Sequence, residues 1–420
     1  MSRILAHRSG PLVGVVDVPG AKNSVLKLMV ASLYASGEHR LTNVPEISDV
    51  DAMAVLLGSL GVDVRFAAPG SHELVLSNSG QVASVAPPDE VGSIRASINL
   101  LGPLLACRGH VRLDMPGGDD FGSRPIDMHV AGLSAMGVSF EADATHLEAR
   151  VDRLRGADVV LDYPSVGATE NVMCAAVHAE GTTTIRHAAR EPEVADLACL
   201  LVEMGARIDG IGTDVLRIEG VPRGALIPTT HAVVNDRIQA ATYMAATAVL
   251  SGDVVVRGAD PDHMRMFLLK LVKMGVDVEA TVDGVRVSID RRLSTVDVQT
   301  LPYPGVATDY KPLMVTMMAV ADGVGVMTEN LYPGRFRYVE ELSKLGADIR
   351  TDGHHAVVHG VERLRGAAVA APDIRAGAAL VVAGLAAEGR TTISGFEHVE
   401  RGYDDLIGRL SAIGARLERV

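Results

Sequence analysis

Apolar residues at helical spacing, closed by a glycine and followed at once by alternating apolar and polar positions, recur along the whole chain. VEELSKLG followed by ADIRT shows the change from helical to strand period. The string L-x-x-[MLI]-G marks this change six times, at Gly61, Gly137, Gly205, Gly275, Gly346 and Gly414, spaced 76, 68, 70, 71 and 68 residues apart. A second glycine (Gly37, Gly109, Gly181, Gly252, Gly323, Gly389) precedes each by about 24 residues and opens a strand such as TTTIRHA or DVVVRGA. Each unit reads as an apolar helix, a glycine stop, a strand, a turn, a second helix and a strand. The glycine at the helix end is expected to supply a left-handed cap. The pattern predicts an α/β fold of βαβ-type units with helices packed on sheets.

The period exceeds that of common solenoids, so each unit approaches a small domain. Six units in 420 residues divide most simply into two groups of three, with a boundary near PTTHAVVNDRI. The segment MSRILAHRSGPLVGVVDVPG precedes the first helix and is free to pair with the C-terminal half. Hydrophobic residues make up 48% and charged residues 22%, enough apolar material for substantial cores, but Trp is absent and aromatics are 3%. Small aliphatic side chains must therefore fill those cores. Three cysteines without paired spacing argue against a disulfide scaffold or a zinc site and for a reducing, cytoplasmic setting. The apolar run AALVVAGLAA is too short to cross a bilayer. A net charge of -13 opposes general nucleic-acid binding.

Equivalent positions can be compared within the chain. The first helices start at GAKNSV, SIRASI, SVGATEN, NDRIQA, ATDYKP and PDIRAG, placing Lys22, Arg95, Ser165, Arg237, Asp309 and Arg375 at corresponding turns. A helix N-terminus favours anions, and a cation there strengthens the preference. Further charge sits in the turns before the second helices: Arg124 and Asp127, Arg335, and Arg401. Singly, such an Arg is an ordinary solvated or carboxylate-paired group. Recurrence in an acidic chain points instead to a small, multiply charged anion. Asp309 is a carboxylate where most sister units carry Lys or Arg; it reads either as a helix cap or as an ionised base beside cations. The stretch MPGGDDFGSRPIDMH sets Asp119 and Asp120 in a glycine-rich loop, a plain turn or a closing segment that presents a proton donor. In DGHHAVVH, strand alternation sends His354 and His355 to opposite faces and leaves His355 and His359 about 13 Å apart, which disfavours a metal site.

GAKNS (20–24), RASINLLGP (95–103), PGGDDFGSRPIDMH (116–129), SVGATEN (165–171), AAREPEV (188–194), TDYKP (308–312), DIRAG (373–377) and ERGYD (400–404), in this order, resemble the UDP-N-acetylglucosamine 1-carboxyvinyltransferases, enolpyruvyl transferases that begin peptidoglycan precursor synthesis. The resemblance runs from about residue 10 to the C-terminus. It implies two similar domains, each of three βαβαββ-type units in an inside-out α/β barrel, with the active site in the cleft. The first domain would span 22–232, with a mobile loop near 114–124; the second would join 1–21 to 233–420. Also implied are phosphoenolpyruvate and UDP-N-acetylglucosamine as substrates, release of phosphate by addition and elimination through a tetrahedral ketal, and no metal or organic cofactor. Lys22, Arg124 and Arg401 would hold the phosphate of phosphoenolpyruvate, and Arg335 and Arg375 its carboxylate. Asn23 would contact the sugar and Asp309 would deprotonate its 3-hydroxyl. Arg95, Arg124, Pro125, Ile126, Asp127, Ser165, Val166 and Gly167 would line the uridine diphosphate site.

The chain departs from that family at three places. Asp119 stands where most members have the acid Cys; a carboxyl with a raised pKa can donate the same proton but cannot form a thioether with fosfomycin, so resistance is expected. Lys311 replaces the usual Gln and adds a cation near Asp309, and Asn99 replaces an often bulkier residue. These differences leave open another uridine nucleotide, such as UMP, as acceptor, and an inactive regulatory paralogue. The shikimate-pathway sister enzyme fits less well because its GNAGTAMRP motif is missing. A six-unit DNA clamp would need basic residues around an inner surface rather than at helix starts.

Overall fold

All six glycines that close the L-x-x-[MLI]-G strings hold positive φ, between 92° and 112°. Each follows the end of a second helix: Ser48–Ser59, Asp127–Ala135, Pro192–Glu203, Arg265–Lys273, Tyr338–Lys344 and Leu406–Ala412. Left-handed backbone is what an L-residue resists, so glycine there ends the helix and turns the chain into the next strand. The opening glycines do the same with one exception: ahead of Gly252 it is Ser251 that takes the left-handed conformation, with φ 55°. The computed structural model describes residues 2–86, 94–114, 125–143, 145–332 and 334–420.

Two compact units result, dividing between Pro19 and Gly20 and again between Val234 and Asn235. Among the described residues each unit contains three small sheets, five of the six being four-stranded and the sixth three-stranded. A typical sheet takes its antiparallel core from one repeat and adds one parallel edge strand from elsewhere in the chain. Asp253–Arg257, Gly284–Ser288 and Asp277–Ala280 pair antiparallel, and Val13–Asp17 adds in parallel. Arg3–His7 lies between Arg390–Ser394 and Arg416–Arg419, antiparallel to both, so the start of the chain completes the sixth repeat.

The first helix of each repeat lies inside its unit. In the unit that includes residues 235–420 these are Arg237–Val249, Lys311–Val320 and Ile374–Ala386, which pack on one another and bury nearly every residue. A helix that is apolar all round must be enclosed. Here Ala, Gly, Val and Met do the filling, in keeping with the scarcity of aromatics. In the other unit Lys22–Ala31, Leu101–Arg108 and Val166–Ala176 occupy the interior. Tyr34 just beyond the first donates its hydroxyl to the Cys174 carbonyl at 2.6 Å, and Lys27 pairs with the buried Glu170. Burial pushes the Glu170 carboxyl up to about 7, against the pull of Lys27. No helix among the described residues is long and apolar enough to cross a membrane.

Thr230–Ala232 closes this second unit by pairing in parallel with Arg40–Thr42. Its central His231 is held between two carboxylates of the helix Pro192–Glu203 region, with Nε2 2.9 Å from Asp196 and Nδ1 2.8 Å from Glu203. Asp196 also accepts from the Ser24 hydroxyl, in the GAKNS turn. Burial disfavours the imidazolium, but the two carboxylates outweigh it and raise the pKa above the ordinary 6.5. A raised folded-state value means that the stabilisation is full below about pH 6.5 and is lost as pH rises through the folded pKa. The stability advantage of the wild type over His231→Gln, read from urea unfolding between about pH 5.5 and pH 9, should therefore shrink with rising pH. A constant difference would show that His231 is not charged in the fold.

Candidate active site

Three inner helices of one unit bring their N-termini to a common place, and the charges gather there. Asp236 caps Arg237–Val249 by accepting from Ile238 N and Gln239 N, and Asp373 caps Ile374–Ala386 by accepting from Arg375 N and Ala376 N. Each cap turns the next Arg inward: Arg237 and Arg375 are 8% and 3% exposed. Asp309 sits in the 3-10 turn Thr308–Tyr310 ahead of Lys311–Val320, and none of its bonds is a cap bond. Its Oδ1 instead accepts from Arg335 Nη2 at 3.2 Å and Arg375 Nε at 3.4 Å. Arg237 donates to the Tyr310 hydroxyl at 3.2 Å and lies 5.7 Å from the ring centres of Tyr303 and Tyr310.

Asp309 thus stands as a carboxylate among cations rather than as a helix cap. Burial pushes its carboxyl up, but Arg375, Arg335 and Arg237 outweigh burial and hold it down at about 2. It keeps 26% of its side chain exposed, so the face away from the arginines is open to a ligand. Arg375 lies with its guanidinium carbon 5.6 Å from the Tyr403 ring centre, and its Nη1 has no hydrogen-bond partner among the described residues. A buried guanidinium with an unused donor is a place for an anionic oxygen. Arg401 ends the short helix Glu397–Glu400. Its neighbours are tied to the same inner helix, Gly402 O to Gln239 Nε2 at 3.3 Å and Tyr403 hydroxyl to Thr242 at 2.9 Å.

Lys311 is placed otherwise than expected. It is fully buried and paired with the equally buried Glu329 at 2.9 Å, so its charge is matched there and is not offered to Asp309 or to a ligand. Burial lowers the ammonium to about 8 even with Glu329 beside it.

In the other unit Lys22, the first residue of its helix, contacts Asp49 at 2.8 Å, both largely buried, and Asn23 next to it is half-buried. Ser165 caps Val166–Ala176 by accepting from Ala168 N at 3.3 Å, leaving Val166 and Gly167 as the first helical residues. A Cβ on Gly167 would come within 3.0 Å of the His129 ring. Asn171 links the motifs, donating toward His129 Nδ1 at 3.1 Å and accepting from Gly102 N at 2.7 Å. Burial and then Arg95 lower His129 to about 4, opposed by Asp127, which puts Arg95 and Asp127 beside the same ring. Pro125 is exposed, and Ile126 and Asp127 start the helix that carries His129. Asp119, Asp120 and Arg124 lie outside the described residues.

His354 and His355 do not diverge as alternation predicted. His354 lies in the turn before the strand His355–His359, and the two ring centres are 4.0 Å apart with the planes tilted by 41°. Among the described residues no three His, Cys, Asp or Glu group as metal ligands.

A family model described as EPSP synthase (3-phosphoshikimate 1-carboxyvinyltransferase) matches residues 6–410. The chain is 48% identical to a UDP-N-acetylglucosamine 1-carboxyvinyltransferase of Nocardia farcinica, covering 100% of this chain and 98% of that one. It is 47% identical to the protein of the same name in Mycobacterium tuberculosis, covering 100% and 99%. The chain belongs to the UDP-N-acetylglucosamine 1-carboxyvinyltransferase family. Its fold is shared with the enolpyruvyl transferase NikO from Streptomyces tendae, at TM-score 0.89, 25% identity and coverage of 100% and 99%. An EPSP synthase from Acinetobacter baumannii has the same fold at TM-score 0.74 and 18% identity, covering 100% of each chain.

Within this family member, sequence comparison of the repeats found the cations but not their partners. Repeat comparison singles out none of Asp49, Asp196, Glu329 and Asp373, and His129 and Asn171 enter only as members of longer motifs. The only available signal was their place in apolar surroundings, as in Glu329 after VGVMT. Asp309→Asn should lower stability by about 2 kcal/mol at neutral pH, the size expected for a carboxyl held near 2 rather than 3.8. A depressed carboxyl stabilises above its unfolded pKa and loses that stabilisation as pH falls toward 2, so the gap between variant and wild type should close in acid. Unfolding curves at about pH 7 and about pH 3 check both the size and the direction.

Proposed function

We propose that this chain transfers the enolpyruvyl group of phosphoenolpyruvate to the 3-hydroxyl of UDP-N-acetylglucosamine, releasing phosphate, as the first committed step of peptidoglycan precursor synthesis in the cytoplasm. The observation that carries the reading is the full-length identity of nearly one half to relatives of that name, joined to an ionised Asp309 between Arg335 and Arg375. The acceptor oxygen bonds to C2 of phosphoenolpyruvate and loses its proton to Asp309, while a proton is added at C3. The tetrahedral ketal then breaks its C–O bond to phosphate and releases a C3 proton, which restores the enol ether.

A carboxyl near 2 is a poor base at rest. The carboxylate of phosphoenolpyruvate, engaging Arg335 and Arg375, would draw these cations from Asp309 and raise its basicity as the hydroxyl arrives. Lys22, Arg124 and Arg401 are assigned to the phosphate. Arg237 joins this set as a further cation facing Asp309. The uridine diphosphate is assigned to Arg95, Arg124, Pro125, Ile126, Asp127 and the turn Ser165–Gly167, where the N-terminus of an 11-residue helix offers backbone N–H groups. Asn23 is assigned to the sugar, and Asp119 to protonation of C3.

Phosphate release from phosphoenolpyruvate, compared with UDP-N-acetylglucosamine, UMP and UDP-glucose at equal concentration, tests the reading. Release confined to UDP-N-acetylglucosamine supports it; preference for UMP moves the chain to nucleoside modification, and no release with any acceptor makes it an inactive paralogue. Asp119 gives a second test. The wild type should stay active in fosfomycin without a mass increase, and Asp119→Cys should gain a covalent adduct and become inactivated. A stoichiometric adduct on the wild type would refute the role of Asp119 in resistance.

A further inference from the structure

Glu329 and Lys311 form an ion pair that is 0% exposed on both sides, behind the arginines and out of reach of any ligand. Two buried charges cost more in desolvation than their attraction usually returns, and an apolar pair of similar volume is often as stable. The hydrogen bonds around this pair give it a different purpose. Lys311 Nζ also donates to the carbonyl oxygen of Arg335 and lies 4.1 Å from the Phe336 ring centre. Glu329 accepts from Thr300 at 2.6 Å, from Leu331 N at 2.8 Å and Tyr332 N at 3.1 Å, and from the Thr308 hydroxyl at 2.7 Å. Because Thr308 gives its one proton to Glu329, its oxygen lone pair is turned to Arg335 Nη1, 3.2 Å away.

Both ends of Arg335 are thus fixed from one buried pair, the carbonyl through Lys311 and the guanidinium through Glu329 and Thr308. Asp309 lies in sequence between Thr308 and Lys311, and both of these bind Glu329. We infer that Lys311 and Glu329 are positioning residues that aim Arg335 and Asp309 at the anionic substrate, rather than a cation and an anion that meet it. An Arg carries several freely rotating bonds, and fixing it in advance removes an ordering cost from binding. The inference rests on Arg335 receiving the carboxylate of phosphoenolpyruvate.

The full-length protein and its variants Arg335→Ala, Lys311→Met and Lys311→Met with Glu329→Gln are compared for Tm, kcat and KM of each substrate. Arg335→Ala should raise the KM for phosphoenolpyruvate; if it does not, the assignment of Arg335 itself is wrong. Lys311→Met should lower Tm, because Glu329 is left buried without its counter-charge, and should raise that KM about tenfold while the KM for UDP-N-acetylglucosamine stays within about twofold. The double variant should recover Tm yet keep the raised KM for phosphoenolpyruvate, because the tether to Arg335 is still missing. If its KM returns to the wild-type value together with Tm while Arg335→Ala stays impaired, the pair is only structural and the inference falls. Lys311→Leu, which likewise has no donor for the Arg335 carbonyl, replaces Lys311→Met should the latter fail to fold, with the same two outcomes.

Discussion

Three guanidinium groups that cannot lose their charge are held inside one unit around a single carboxylate, and the local structure is organised to make that tolerable. Arg237, Arg335 and Arg375 are each buried. Unpaired, each would carry a desolvation penalty of several kcal/mol. Asp309 answers two of them directly. Aromatic faces of Tyr303, Tyr310 and Tyr403 take part of the rest. Asp236 and Asp373 serve first as helix caps and only then as counter-charges. Balanced in this way the cluster is stable without substrate, yet its balance depends on one partly open carboxylate. An anion that takes over the arginines loosens Asp309 instead of adding a charge to a finished network.

The repeat explains why such a cluster exists. Each inner helix is buried along its length, so a charge within it must be paired, as Lys27 and Glu170 are, or gather at its ends, and three helices packed together bring three N-termini to one place. Caps are needed there because orphan N–H groups cannot be left buried. Asp236 and Asp373 meet that need with side chains, and the residue after each cap is carried inward with it. Where Asp309 stands the same position has no cap bond and supplies an ionised oxygen instead. In the second unit Ser165 caps the helix Val166–Ala176 in the same way, while the helix that begins at Lys22 has no side-chain cap.

Much of this was legible in the chain. The glycine pairs fixed the repeat because left-handed backbone has few other solutions, and Ser251 shows that the requirement is for the conformation rather than for the residue. Comparison of helix starts isolated Lys22, Arg95, Ser165, Arg237, Asp309 and Arg375 without any relative, since charge on a buried helix is most easily placed at its ends. What remained hidden was pairing. Nothing in TDYKP says that Lys311 turns away from Asp309, because the direction of its side chain is set by Glu329, 18 positions later on another element. Strand alternation likewise misplaced His354, which the turn carries out of the strand register.

Lys311 also shows how a charge can matter to chemistry without touching it. Added to the open side of Asp309, a fourth strong cation would hold the carboxylate still more firmly ionised and make it a weaker base. Buried against Glu329 it is electrically balanced, and what reaches the site is a fixed loop geometry. The backbone N–H groups of Leu331 and Tyr332, the Thr308 hydroxyl and the Arg335 carbonyl all end on this pair. A purely apolar replacement could fill the volume but could not bind donors and an acceptor in fixed directions, so the desolvation cost is accepted in return for direction rather than stability.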